Sequence, residues 1–267
     1  MPFAERPDAR IYYEVSAPAP ALVADAPTLI FNHGLAANVD LWNGWLPYLS
    51  EQFRLVRFDM RGCGRSTVPP AGFAWSLELL AGDALAVADA AGVRNFHFIG
   101  ESLGGTVGLY LAIHSGDRLS SLTVSNGAPH GGLVLNLAGW RDIIATHGQK
   151  VWADQMMKWR FFPGALPQDK FDWFHDQHVK CAPDAALAMA NLVATANLSG
   201  RLGEIKAPTL LLSPDASPFI PVTVMAEMKQ RIPACELQVF AHARHGLPLS
   251  HGAACAQVLR DFLARNI

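Results

Sequence analysis

In "GESLG", residues 100–104, Ser102 stands between two glycines, after the apolar run "NFHFI" and before "LGGTVGLYLAI". A serine on a strand-to-helix turn is held out from the chain in a strained conformation, and the residues beside it must be small. Its hydroxyl then lies at a helix N-terminus, where free backbone N–H groups receive negative charge. That is the equipment for nucleophilic attack on a carbonyl. A second stretch, "FNHGLAAN" (31–38), ends an apolar run in His33-Gly34. Gly34 lets the backbone turn close to whatever Ser102 attacks, and the amides of Leu35 and Leu103 would form a two-donor oxyanion hole. The proton acceptor is expected late in the chain. His245, in "ARHGLPLSH" (243–251), falls in a loop after the last apolar run and before a final helix. His242 lies inside that run and His251 beside the helix, so His245 is the candidate base. His33 reads equally well as a structural residue.

Positioning these groups takes alternating strands and helices. Short apolar runs at 10–16, 26–34, 54–62, 95–102, 119–127, 207–215 and 235–243 read as strands. Amphipathic segments at 75–91, 103–115, 222–231 and 253–265 read as helices. This alternation predicts an α/β fold around a largely parallel sheet. The proline-containing "SAPAPALVADAP" (16–27) reads as a loop. From residue 130 to 200 no strand is predicted, yet Trp140, Trp152, Trp159 and Trp173 fall there. This helical insertion is expected to cap the ends of the strands, where open α/β sheets bind ligands. Trp140 and Trp159 are then candidate substrate contacts, with Gly34 below them. The plainer reading is an extra helical layer with its own aromatic core. The expected division is a core of 1–129 and 201–267 with a cap of 130–200.

Composition narrows the function. The 267 residues are 51% hydrophobic and 16% charged, with a formal net charge of −2. Basic residues do not cluster, so no nucleic-acid partner is expected. No apolar run reaches membrane-spanning length, and the N-terminus lacks the apolar segment of a secretory signal. The four cysteines, Cys63, Cys181, Cys235 and Cys255, show no metal-binding spacing. Reduced thiols in a cytoplasmic protein without metal or cofactor are the expectation. Oligomeric state is left open.

Together the HG loop, "FDMRGCGRS" (58–66), the serine turn, the insertion, "PTLLL" and the late His-Gly resemble the α/β-hydrolase superfamily nearly end to end. Within it the chain is most similar to the 3-oxoadipate enol-lactonase group and its esterase relatives, through "KWRFFPG" and "ANLSGRLGEIKAPTLLL". The resemblance implies a cofactor-independent serine hydrolase acting on a small ester or lactone. If the substrate carries a carboxylate, Lys158 or Arg160 would be its partner. Asp59 and Arg61 are read as charges that fix their own loop.

The chain departs from the family at the third catalytic residue. The family places an aspartate just before a proline after the "PTLLL" strand, and here that position is Ser217 in "SPDASPFIP". Asp215, two residues earlier and on the same side of an extended segment, is the first candidate for the acid. The end of the preceding strand is the other known location, and it offers neutral Asn126. Glu101 is expected to face solvent. A weakened set leaves open same-fold alternatives: carbon–carbon bond hydrolysis, lyase or cofactor-free oxygenase chemistry, or ligand binding without turnover.

Overall fold

In the computed structural model, which describes residues 2–16, 26–136 and 138–266, the predicted strands form one sheet. Its strands are β1 (Phe3–Arg6), β2 (Ala9–Ser16), β3 (Thr28–Asn32), β4 (Arg54–Phe58), β5 (Phe96–Glu101), β6 (Leu119–Ser125), β7 (Thr209–Pro214) and β8 (Cys235–Phe240). Their order is β1-β2-β4-β3-β5-β6-β7-β8. The β1–β2 and β2–β4 pairs are antiparallel, and every later pair is parallel. β1 was not among the predicted strands: "FAER" offers four residues with two charges, and its pairing with Ala9–Tyr12 forms it. Of the loop predicted at 16–27, residues 17–25 lie outside the described residues.

The helices are α1 (Leu46–Leu49), α2 (Leu77–Ala90), α3 (Leu103–His114), α4 (Ala138–Arg160), α5 (Gln168–Lys180), α6 (Pro183–Thr195), α7 (Val222–Arg231), α8 (Leu247–Ser250) and α9 (Gly252–Asn266). Strands β3, β5 and β7 are buried along their whole length, as parallel strands covered on both faces must be. Alternate residues serve opposite layers. Ile30 and Leu211 pack with α2, α3 and α7 through Val87, Val107 and Met225. Their neighbours Leu29, Phe31, Leu210 and Leu212 pack against α9 and the Trp42–Trp45 pair. The edge strand β8 alternates half-buried and exposed residues over its first four positions and buries only Phe240.

Asp59 and Arg61 do fix the structure around β4. Asp59 accepts hydrogen bonds from the amides of Val39 and Arg65. Arg61 is fully buried and pairs with Asp8 and Asp83.

Between β6 and β7 the chain forms α4, α5 and α6, with α4 broken at Gly148, where φ is +82°. These helices hold their own aromatic centre: Trp152 is fully buried against Trp140 and His178. The end of α4 meets the end of β5 and the loop after β8, where Arg160 contacts Glu101 and its carbonyl accepts from the Gly246 amide. Among the described residues no helix is long and apolar enough to cross a membrane.

Candidate active site

Five loops leave the carboxyl ends of β3, β5, β6, β7 and β8, and each delivers one part of the site. After β5, Ser102 adopts φ 53°, ψ −117° and becomes the N-terminal cap of α3 without using its side chain. A non-glycine residue holds that conformation only where its surroundings over-determine it. Here the Ser102 amide donates to the Ser125 carbonyl at 2.9 Å, and its own carbonyl accepts from Thr106 at 3.0 Å. The flanking glycines are dictated by contact. A Cβ on Gly104 would strike the Asn32 and His33 carbonyls, and one on Gly100 would strike the Gly104 carbonyl.

The Ser102 Oγ lies 3.0 Å from His245 Nε2. The loop carrying His245 is clasped by the end of α4 and the residue that follows it. The Gly246 amide donates to the Arg160 carbonyl at 3.0 Å, and the Arg244 guanidinium donates to the carbonyls of Lys158 and Phe161. The "KWRFF" segment and the base are thus fixed to one another. Burial, reinforced by the Arg160 charge, holds the imidazole well below its ordinary pKa. It is a neutral base at rest.

On the other side of the ring stands no acid. His245 Nδ1 donates to Asn126 Oδ1 at 2.5 Å, with Ser217 Oγ at 3.3 Å. Ser217 in turn donates to Asn126 Oδ1 at 2.8 Å and accepts from the amides of Phe219 and Ile220. The Asn126 amide group is committed to the Ile220 carbonyl at 3.2 Å, which turns Oδ1 toward the ring. That arrangement keeps the proton on Nδ1 and the lone pair of Nε2 toward Ser102. Asn126 ends β6 with φ +48°, a conformation asparagine adopts more readily than most residues.

The expectation that Asp215 fills the acid position is corrected. Its carboxylate accepts from the backbone amides of His242 and Ala243, each at 3.0 Å, and so braces the turn that leads to His245. A carboxylate whose two oxygens are each tied to an amide of one turn does not reach across the loop to the ring. Asp215→Asn should therefore leave the rate of Ser102 modification within about threefold while weakening a charged acceptor at the surface, worth about 1 kcal/mol. Thermal denaturation should register that loss as a Tm lower by about 2–4 °C. A large loss of reactivity would return Asp215 to the imidazole.

Glu101 also departs from expectation. It is 2% exposed and not solvent-facing. Its Oε1 lies 3.4 Å from an Arg160 Nη1 and 3.7 Å from His245 Nε2. Arg160 descends from the cap to cover it, a contact that local sequence does not encode. Lys158 is exposed and away from the cavity, so of the two cations considered for a substrate carboxylate only Arg160 lines it.

A small cavity lies over Ser102. Leu35, Leu103 and Trp140 line it as expected, together with Thr106, Phe219 and His245. Neither the Leu35 nor the Leu103 amide donates a hydrogen bond among the described residues, which leaves both for an oxyanion. Trp159 and Gly34 do not line the cavity. Trp159 packs on Phe219, which in turn meets the edge of the His245 ring, and Gly34 lies against Glu101 and the Ser102 Cβ. His33 is buried and structural: it bonds the Gly34 carbonyl through Nδ1 and accepts the Met60 amide at Nε2. Burial pushes its pKa down to about 4. Phe219 and Ile220 were missed as cavity residues, although they directly follow the Ser217-Pro218 pair that marks this loop.

A mostly parallel sheet with a serine on the strained turn after β5, and a histidine returning after the last strand, defines a class of protein. The chain matches the family model described as alpha/beta hydrolase fold over residues 27–251, and it belongs to that family. It is 28% identical over 257 residues to RutD of Stutzerimonas stutzeri (strain A1501), a protein named for carbamate hydrolysis, covering 91% of this chain and 93% of the relative. It is also 28% identical over 227 residues to 3-oxoadipate enol-lactonase 1 of Acinetobacter baylyi, covering 80% of each. The crystal structure of the enol-lactonase from Burkholderia xenovorans LB400 superposes with a TM-score of 0.88 at 22% identity, covering 98% of this chain and all of that one. That likeness speaks to the fold. The chain stands with these proteins among the alpha/beta hydrolases.

Proposed function

We propose that the protein hydrolyses a small carboxylic ester or lactone, with Ser102 as nucleophile and His245 as base. The observation that carries this reading is the 3.0 Å contact between Ser102 Oγ and His245 Nε2 at the floor of a cavity lined by Leu35 and Leu103. As Oγ bonds to the substrate carbonyl carbon, its proton passes to Nε2. The carbonyl π pair moves onto oxygen, where the two amides receive it. Collapse restores the carbonyl, breaks the bond to the leaving oxygen and returns the Nε2 proton to it. A water then repeats the sequence on the acyl-enzyme and releases the acid. Similarity to an enol-lactonase and to a carbamate hydrolase supports an acyl-transfer site.

The test is intact mass after brief exposure to a fluorophosphonate. Wild type should gain one adduct at Ser102, and Ser102→Ala should gain none. A wild type that resists the reagent removes the hydrolase reading.

The pH dependence has a definite sign. The reactive imidazole is neutral, and its proton affinity is depressed in the folded protein. Reactivity should therefore persist as pH falls through 6.5, the ordinary histidine value, and decline only at lower pH. Labelling rates across the acid range would locate that limb, and a midpoint above 6.5 contradicts the assignment.

A further inference from the structure

An imidazole that takes a proton from serine becomes a cation, and this site gives it only dipoles on the Nδ1 side. Asn126 and Ser217 orient the ring without balancing its charge. The charged groups facing His245 are Glu101, from the end of β5, and Arg160, from the cap; Phe219 presents only a ring. Arg160 disfavours the imidazolium. Glu101 is the group that favours it, and it lies 3.7 Å from Nε2, the nitrogen that gains the proton.

The position is built for that carboxylate. Glu101 is the residue before the nucleophile, so the elbow that raises Ser102 also fixes its neighbour. Gly34 makes the space, since a Cβ there would strike Glu101 Oε2. Burial pushes the Glu101 carboxyl above the usual carboxylate range, and Arg160 and the Gly34 backbone only partly oppose that effect. Arg160 holds Glu101 through a single long contact, and its Nε has no partner among the described residues.

We propose that Glu101 is the positioning residue that supplies the counter-charge to His245, from the Nε2 side, in place of the absent acid on the Nδ1 side. Arg160 is the cation that pairs with that carboxylate inside the site. The proposal rests on the Ser102–His245 reading above, and its test separates the two.

Fluorophosphonate labelling rates are measured against pH for wild type, Glu101→Gln, Glu101→Gln/Arg160→Met and Glu101→Gln/Asn126→Asp. Glu101→Gln should slow labelling about tenfold or more and move the acid limb to lower pH, because the imidazolium has lost its anion. The variant with Arg160→Met removes the unpaired cation, so it should fold even if Glu101→Gln does not, and it should remain slow. Adding Asn126→Asp places a carboxylate on the opposite nitrogen and should recover most of the lost rate. Wild-type speed in Glu101→Gln overturns the proposal. So does wild-type speed in Glu101→Gln/Arg160→Met, which would leave Glu101 only the task of neutralising Arg160. If wild type itself fails to label, the serine reading falls and takes this one with it.

Discussion

Asn126→Asp is expected to raise kcat/KM for an activated ester by about 100-fold. The residue already touches the base, with Oδ1 2.5 Å from His245 Nδ1, so the substitution adds charge without asking for movement. In serine proteases the reverse change, aspartate to asparagine, costs about 10⁴ in turnover, largely by imposing the wrong tautomer. The wrong tautomer is avoided here because the Asn126 amide nitrogen is held by the Ile220 carbonyl. Only a charge on the Nδ1 side is missing, so only part of that factor is there to recover. The new carboxylate keeps the Ser217 hydroxyl as donor but faces the Ile220 carbonyl with no proton between them. A stability loss of about 1–3 kcal/mol should accompany the gain. The sign of the pH change follows: an anion at Nδ1 favours the imidazolium, so the acid limb of kcat/KM moves up. Steady-state kinetics on a nitrophenyl ester measures both effects. An unchanged rate would mean that charge on the base does not limit this enzyme.

What could be read in the sequence follows from the range of the constraint. The serine turn was legible because a strained backbone crossing close beside other backbone segments admits only glycine at Gly100 and Gly104. The HG loop and His245 follow from strand order, since a base that meets the β5 turn must return after the last strand. Asn126 and Ser217 were visible as neutral residues at the two places an acid would stand. Their joint use was not legible, because it depends on Ser217 reaching across 91 residues of sequence to Asn126. Asp215 misled because its charge serves backbone amides 27 and 28 residues later in sequence, past the end of the next strand and adjacent in space. Glu101 misled in the opposite direction. A carboxylate on a turn is ordinarily solvated, and only the descent of Arg160 from the cap buries it.

His245→Ala should lower ester turnover about 10⁴-fold, and Ser102→Ala/His245→Ala should be no slower than either single variant. Non-additivity is the mark of two groups that pass one proton between them. In a serine protease with its acid in place, losing the histidine alone costs about 10⁶. The smaller loss expected here follows from the neutral partners of Nδ1: a base without a charged orienter contributes less, so less disappears with it. The residual rate belongs to the Leu35 and Leu103 amides and to the cavity, which need no proton transfer to hold an oxyanion. In Asn126→Asp the same His245→Ala substitution should cost more, because it removes a stronger base. Comparing the two losses therefore measures the value of the missing acid directly. Equal losses in both backgrounds would show that the carboxylate does not act through the imidazole, and fully additive single losses would break the Ser102–His245 pair as a catalytic unit.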